Sequence, residues 1–159
     1  MSKIYCNYKN NTYKAKLINK KIRLTTTIKT EGFENYVDVL GNKHNDLFVK
    51  EILQEEADLL YKEDITLKYK EDYFQLYSGE VTKSSLIDNS FMIWTDSETI
   101  AQKYSFEKKE QFVFIKYITK QQIEAVKIVK QSIMCSQNEV KEEIIEGEEL
   151  EKWFDKLYR

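Results

Sequence analysis

The chain has 159 residues, a net charge of −2, one histidine, two cysteines, four glycines and no proline. That length allows one large domain or two small ones, and an aromatic share of 13% is more than a disordered chain carries. The near-neutral balance argues against nucleic-acid binding by bulk field, and one His with two widely spaced Cys argues against a standard zinc site.

In chain order, "KIYCNY" (3–8) alternates as a strand does. "NN" (10–11) reads as a turn before the strand "TYKAKLI" (12–18). Asn19-Lys20 turns the chain into a third strand, 21–28, rich in β-branched residues. An irregular stretch follows, with His44 in the polar loop "GNKHND". "FVKEILQEEADLL" (48–60) then predicts a strand passing into a short helix. "ITLKYKEDYFQL" (65–76) is a second hairpin, and "SGEVTKSSLIDNS" (78–90) reads as a loop. "SFMIWT" and "QFVFIKYI" are strand-length apolar runs. Between them "TDSETIAQKY" predicts a helix with Thr95 as N-cap and Glu98 three residues on. "TKQQIEAV" (119–126), with Thr119 and Gln122 at the same spacing, predicts another, and "KIVKQSIMCS" (127–136) a strand. After Gly147, "EELEKWFDKLYR" places Leu150, Trp153, Phe154 and Leu157 on one helical face, acidic at its start and basic at its end.

The two hairpins repeat. Ile4, Tyr8, Lys9 and Tyr13 match Ile65, Tyr69, Lys70 and Phe74 at a constant offset of 61. Phe48, Lys50, Ile52 and Asp58 match Phe114, Lys116, Ile118 and Glu124 at an offset of 66. The expectation is an α+β fold of mainly antiparallel β-meanders, with short connecting helices and a C-terminal helix. It forms a single domain, 1–159, of two related halves (an internal repeat), about 3–62 and 63–136, with a C-terminal segment 137–159.

The chemistry-bearing residues do not form a motif. His44 has no nucleophile beside it in sequence, and carboxylates such as Glu63, Asp64, Glu71 and Asp72 are as numerous as chance pairing among 27 acids allows. The four glycines are isolated, so no phosphate cradle is written, and no cofactor is expected. Cys6 and Cys135 lie in apolar runs and are expected to be buried free thiols. The opening "MSKIYCNYK" lacks an apolar signal region and no run reaches membrane-spanning length, which predicts a cytoplasmic location. Tyr5, Tyr8, Tyr13, Tyr69, Tyr73 and Tyr77 alternate with lysines, a pattern that could stack single-stranded bases.

What remains is a binding protein. The pattern "IYCNYKNNTYKAKL…KKIRL…FVKEI…EADLLYK", with its hairpin written again at "LKYKEDYFQL", resembles the small immunity proteins paired with polymorphic secreted toxins of Gram-positive bacteria. That resemblance implies a non-catalytic inhibitor that binds a cognate toxin domain. Such toxins are often nucleases with basic clefts, and the segment from Asn138 to Arg159 carries eight acids against four bases. The partner-binding candidates are therefore Glu55, Glu56 and Asp58 on the first short helix and Glu142, Glu143 and Glu146 near the C-terminus. The alternative is a nucleic-acid-binding or regulatory module using the Tyr/Lys hairpins.

Overall fold

A computed structural model describes residues 3–133 and 139–158. The described chain is mostly antiparallel sheet with three α-helices, the last of them C-terminal. It divides into two compact units. The N-terminal unit comprises residues 3–63 with 131–140, and the C-terminal unit residues 64–130 with 141–159.

In the N-terminal unit the strands are β1 (Lys3–Tyr8), β2 (Asn11–Ile18), β3 (Lys21–Thr26), β4 (Glu34–Val37), β5 (Lys43–Leu53) and the first five residues of β6 (Leu59–Tyr69). Their order is β4-β5-β3-β2-β1-β6, with every described pairing antiparallel. The first turn is Lys9-Asn10 rather than Asn10-Asn11. Both turn residues have positive φ, 47° and 64°, as do Asn19 and Lys20, 48° and 67°. That conformation matches strand twist in a two-residue hairpin, and the spacing of Tyr8 opposite Asn11 decides which pair adopts it. One sheet face buries Cys6, Ile22, Leu24, Ile52 and Leu60, with Tyr8, Tyr13 and Phe33 packed against them. The other carries Tyr5 stacked on Tyr61 at 5.8 Å and an ion pair between Arg23 and Glu51 at 3.4 Å.

The short helix expected over "QEEADLL" is a single 3-10 turn, Gln54–Glu56. The residues from Leu59 on pair with β1, burying both Leu60 and Tyr61, so sheet pairing overrides helix propensity. His44 lies in β5, not in a loop. Strand β3 stops at Thr26, and Ile28 beyond it is exposed.

The C-terminal unit contains the rest of β6, then β7 (Asp72–Leu76), β8 (Phe91–Thr95), β9 (Glu107–Glu110), β10 (Val113–Ile118), β11 (Ile123–Ser132) and β12 (Val140–Glu146). The order is β6-β7-β8-β10-β9, and β11 pairs with both β6 and β12. Three helices accompany them: α1 (Lys83–Asp88), α2 (Glu98–Lys103) and α3 (Glu148–Tyr158). Helix α1 arises inside the expected loop. Thr82 accepts the Ser85 N–H at 3.1 Å, and Asn89 closes the helix at φ 49°. Helix α2 is capped by Ser97, which accepts the Ile100 N–H at 3.2 Å, and not by Thr95. Thr95 is still paired to Phe114 in the sheet, so the cap moves to the residue directly before the helix. The expected helix at 119–126 is again one 3-10 turn, Lys120–Gln122. The Gln122 side chain takes the Thr119 N–H at 2.9 Å, and Ile123, Ala125, Val126 and Ile128 then continue as a buried strand. The strand expected to 136 ends at Ser132, and residues 134–136, with Cys135, lie outside the described residues.

The inner face of this sheet holds Leu67, Tyr69, Phe74, Leu76, Phe91, Ile93 and Ile118. Leu86 of α1, Ile100 of α2 and Leu150, Trp153 and Phe154 of α3 join that cluster, while Leu157 stays half exposed. The charged strand β9, "EKKE", stands at the sheet's edge with all four residues exposed.

Candidate protein-binding face

In an antiparallel pair, directly opposed residues share a face. In the C-terminal unit Lys68 opposes Tyr73, Gln75 opposes Trp94, and Trp94 in turn opposes Ile115. Met92 opposes Tyr117. These residues define the sheet's outer face, because their strand neighbours Leu67, Phe74, Leu76 and Ile93 fill the core. Each of the three helices sends apolar side chains into the inner cluster, and the outer face keeps Tyr73, Met92 and Trp94 partly exposed and Tyr117 59% exposed. A sheet with one covered face usually shows polar residues on the other, so an aromatic outer face marks a contact surface.

The predicted acids distribute unevenly around it. Strand β12 turns Ile145 inward, so Glu142, Ile144 and Glu146 point the other way and Glu143 shares the side of Ile145. The Glu142 carboxylate lies 3.9 Å from the Lys127 ammonium, and that ammonium stands 4.2 Å over the Tyr73 ring. Glu142 therefore borders the aromatic face. Glu55, Glu56 and Asp58 belong to the N-terminal unit. There the Glu56 carboxylate accepts the Leu53 N–H at 3.2 Å, and the Asp58 N–H bonds the Asn7 carbonyl at 2.9 Å. Of the three carboxylates only that of Glu56 serves the turn, and all three residues stay exposed.

Sequence reasoning missed Met92, Trp94 and Tyr117, and placed Tyr73 only in the row that could stack bases. The signal was available in "YFQLY" and "FMIWT": both put large apolar or aromatic residues on each side of the strand, more than one buried face requires. Of the six hairpin tyrosines, Tyr69 is buried and Tyr8 and Tyr13 are partly buried against a core, so half of the proposed base-stacking row faces inward.

Other reactive groups are built into the fold. His44 Nε2 lies 3.1 Å from an Asp38 carboxylate oxygen. The other oxygen accepts the Leu40 and Asn42 N–H groups at 3.0 and 2.9 Å. The Asn42 N–H first, then the His44 side chain and the Leu40 N–H, hold the Asp38 carboxyl below the usual range. This is a locked loop, and no hydroxyl or thiol nucleophile approaches the pair in any described hydrogen bond. Cys6 is a free, fully buried thiol, pushed up to about 11 by burial and then by the Asp58 charge. Among the described residues no cluster of His, Cys, Asp and Glu could hold a metal ion. No helix is long and apolar enough to cross a membrane.

Residues 1–135 match the family described as "Uncharacterised conserved protein UCP033725". The chain belongs to this family. The matched region contains the outer-face residues Tyr73, Trp94 and Tyr117 and the acids Glu55, Glu56 and Asp58, and it stops before β12 and α3. No curated protein and no solved structure matches the chain.

Proposed function

We propose that the protein is a non-catalytic cytoplasmic immunity protein that binds and inhibits a cognate toxin domain. The observation that carries this reading is the half-exposed outer face of the C-terminal unit, with aromatic residues at its centre and Lys68, Lys127 and Glu142 at its margin. Protein interfaces have this anatomy: aromatic anchors within a polar rim. Glu142, Glu143 and Glu146 add charge that suits a basic partner, with Glu55, Glu56 and Asp58 a second acidic group on the other unit. The duplication of the chain belongs to the same proposal. It draws support from the two-residue hairpin turns after Tyr8 and Tyr69, and from the passages β5–3-10 turn–β6 and β10–3-10 turn–β11. The nucleic-acid alternative draws less, since three of its six tyrosines face a core.

The test is rescue. A tagged chain is recovered from its native lysate at moderate salt, and the gene of any stoichiometric protein partner is expressed alone and together with this chain. The expected result is toxicity relieved by the unaltered chain and not by a Met92→Glu, Tyr117→Glu variant that unfolds at the same denaturant concentration. Full protection by that variant, or recovery of RNA or DNA in place of a protein, overturns the reading.

A further inference from the structure

The outer face contains an opening that follows from strand pairing. Strand β7 pairs with β6 along its whole described register, from Asp72 to Gln75, but with β8 only at Gln75 and Leu76. Beyond Gln75 and Trp94 the two strands part. The edge of β7 at Asp72–Phe74 and the end of β8 at Thr95–Asp96 enclose a cleft of about 280 Å³, with Ile100 of α2 beside it. Ligand sites for whole small molecules run about 300–1,000 Å³, so this cleft is sized for a single side chain.

Its chemistry selects one kind of side chain. The Trp94 ring has neither an aromatic nor a cationic partner among the described residues, and it lies directly opposite the Gln75 position. The Gln75 amide and the Asp96 carboxylate likewise have no hydrogen-bond or ion-pair partner there. Asp72, by contrast, already accepts the Tyr104 hydroxyl and lies 3.9 Å from the Lys103 ammonium. The available groups are one aromatic plane, one uncompensated carboxylate and one amide oxygen. Lys127 over Tyr73 on the same face is a cation already seated on a ring at 4.2 Å. A planar cation with several donors can satisfy all three groups at once, stacking on the indole while pairing with the carboxylate. An ammonium is a point charge and cannot stack in this way.

We infer that the cleft between β7 and β8 receives an arginine side chain of the protein partner, stacked on Trp94 and paired with Asp96. This rests on the partner-binding reading above and names the residue type the partner presents. Arginine is also the charged residue most often found at the energetic centre of an interface.

The experiment titrates the full-length, isotopically labelled chain with N-acetyl-arginine amide and follows the Trp94 indole signal by NMR, with the Trp153 indole as internal reference. Saturable shifts at Trp94 are expected, with a dissociation constant of about 1–50 mM, the range open to one side chain. N-acetyl-citrulline amide, which has the same shape without charge, and the Asp96→Asn variant should each weaken binding about tenfold, the loss of one charge-assisted hydrogen bond. Asp96 is exposed, so that substitution leaves the fold intact, and an unmoved Trp153 signal verifies it. No saturable shift, or an equal response to citrulline, overturns the inference. That failure leaves the immunity reading standing, because its rescue test uses Met92 and Tyr117 and not the cleft.

Discussion

Replacing Phe154 by Ala should detach helix α3. The Phe154 ring is 2% exposed, and its centroid lies 5.7 Å from that of Phe91 and 5.2 Å from that of Trp153. The Lys120 ammonium stands 5.4 Å from the same ring and is itself paired to Glu151 of α3 at 2.9 Å. Truncating a buried Phe costs about 3–5 kcal/mol in lost transfer energy and residual cavity. Losing the ring pair falls within that figure, at about 0.5–1.5 kcal/mol. Against a typical total stability of about 5–15 kcal/mol, the loss is large. The assay is urea unfolding followed by far-ultraviolet circular dichroism and, in a Trp94→Phe background, by the fluorescence of Trp153. Helix α3 supplies eleven of the α-helical residues, against six each in α1 and α2, so its detachment should remove much of the helical signal. Tyr158→Ala, at a residue 62% exposed, is the control and should change stability by less than about 0.5 kcal/mol. A loss below about 1 kcal/mol for Phe154→Ala, with helical signal retained, would refute the docking of α3 on the core.

Cys6 should resist thiol reagents at neutral pH in a Cys135→Ser background, reacting only as fast as the protein opens; labelling at the rate of an unfolded peptide thiol would contradict its burial. Because the folded thiol titrates at about 11 and the unfolded one near 9, its contribution to stability is complete below the unfolded value and disappears as pH rises through the folded one. The unfolding midpoint should therefore fall between those pH values, and a Cys6→Ala variant should show a smaller fall. Asp38 has the opposite sign: its lowered carboxyl stabilises the loop above the unfolded value, about 3.9, and that contribution is lost as pH falls through the folded one. Hydrogen exchange at the Leu40 and Asn42 amides should show protection at neutral pH that Asp38→Ala abolishes; unchanged protection would sink the loop-lock account. Replacing Lys108 by Val and Lys109 by Thr in β9 should cause concentration-dependent association beyond that of the unaltered chain, read by light scattering, since charge on an edge strand deters pairing with other chains.

The hairpins were legible because alternation and turn residues are local signals: "KIYCNY" and "TYKAKL" become β1 and β2, and Leu150 and Phe154 mark the buried side of α3 as their spacing predicts. The two expected short helices each end after one turn for the same reason. A capping pair such as Thr119 and Gln122 fixes a single turn, and whether helix continues depends on distant strands, β6 for the run that starts at Ile123. Strands β4, β9 and β12 carry little hydrophobic alternation and exist through pairing with a neighbour, a non-local cause. The acids were visible as charge, but their surroundings were not: Glu142 borders the aromatic face through Lys127, whereas Glu56 is occupied by the Leu53 amide. The cleft at Trp94 depends on where β7 and β8 stop pairing, and no local residue pattern encodes that.

The N-terminal unit is assembled from two stretches of chain separated by residues 64–130. Ile133 packs against its core and donates its N–H to the Leu60 carbonyl at 3.0 Å, and Ser132 bonds Glu139 at 2.9 Å. Ribosomes add about 5–20 residues each second, so several seconds separate the emergence of Leu60 from that of Ile133. Throughout that interval the first strands lack their last contacts, although they were synthesised first. The order of synthesis is therefore not the order of completion, and a fragment cut after Glu63 is an unfinished unit rather than an independent domain.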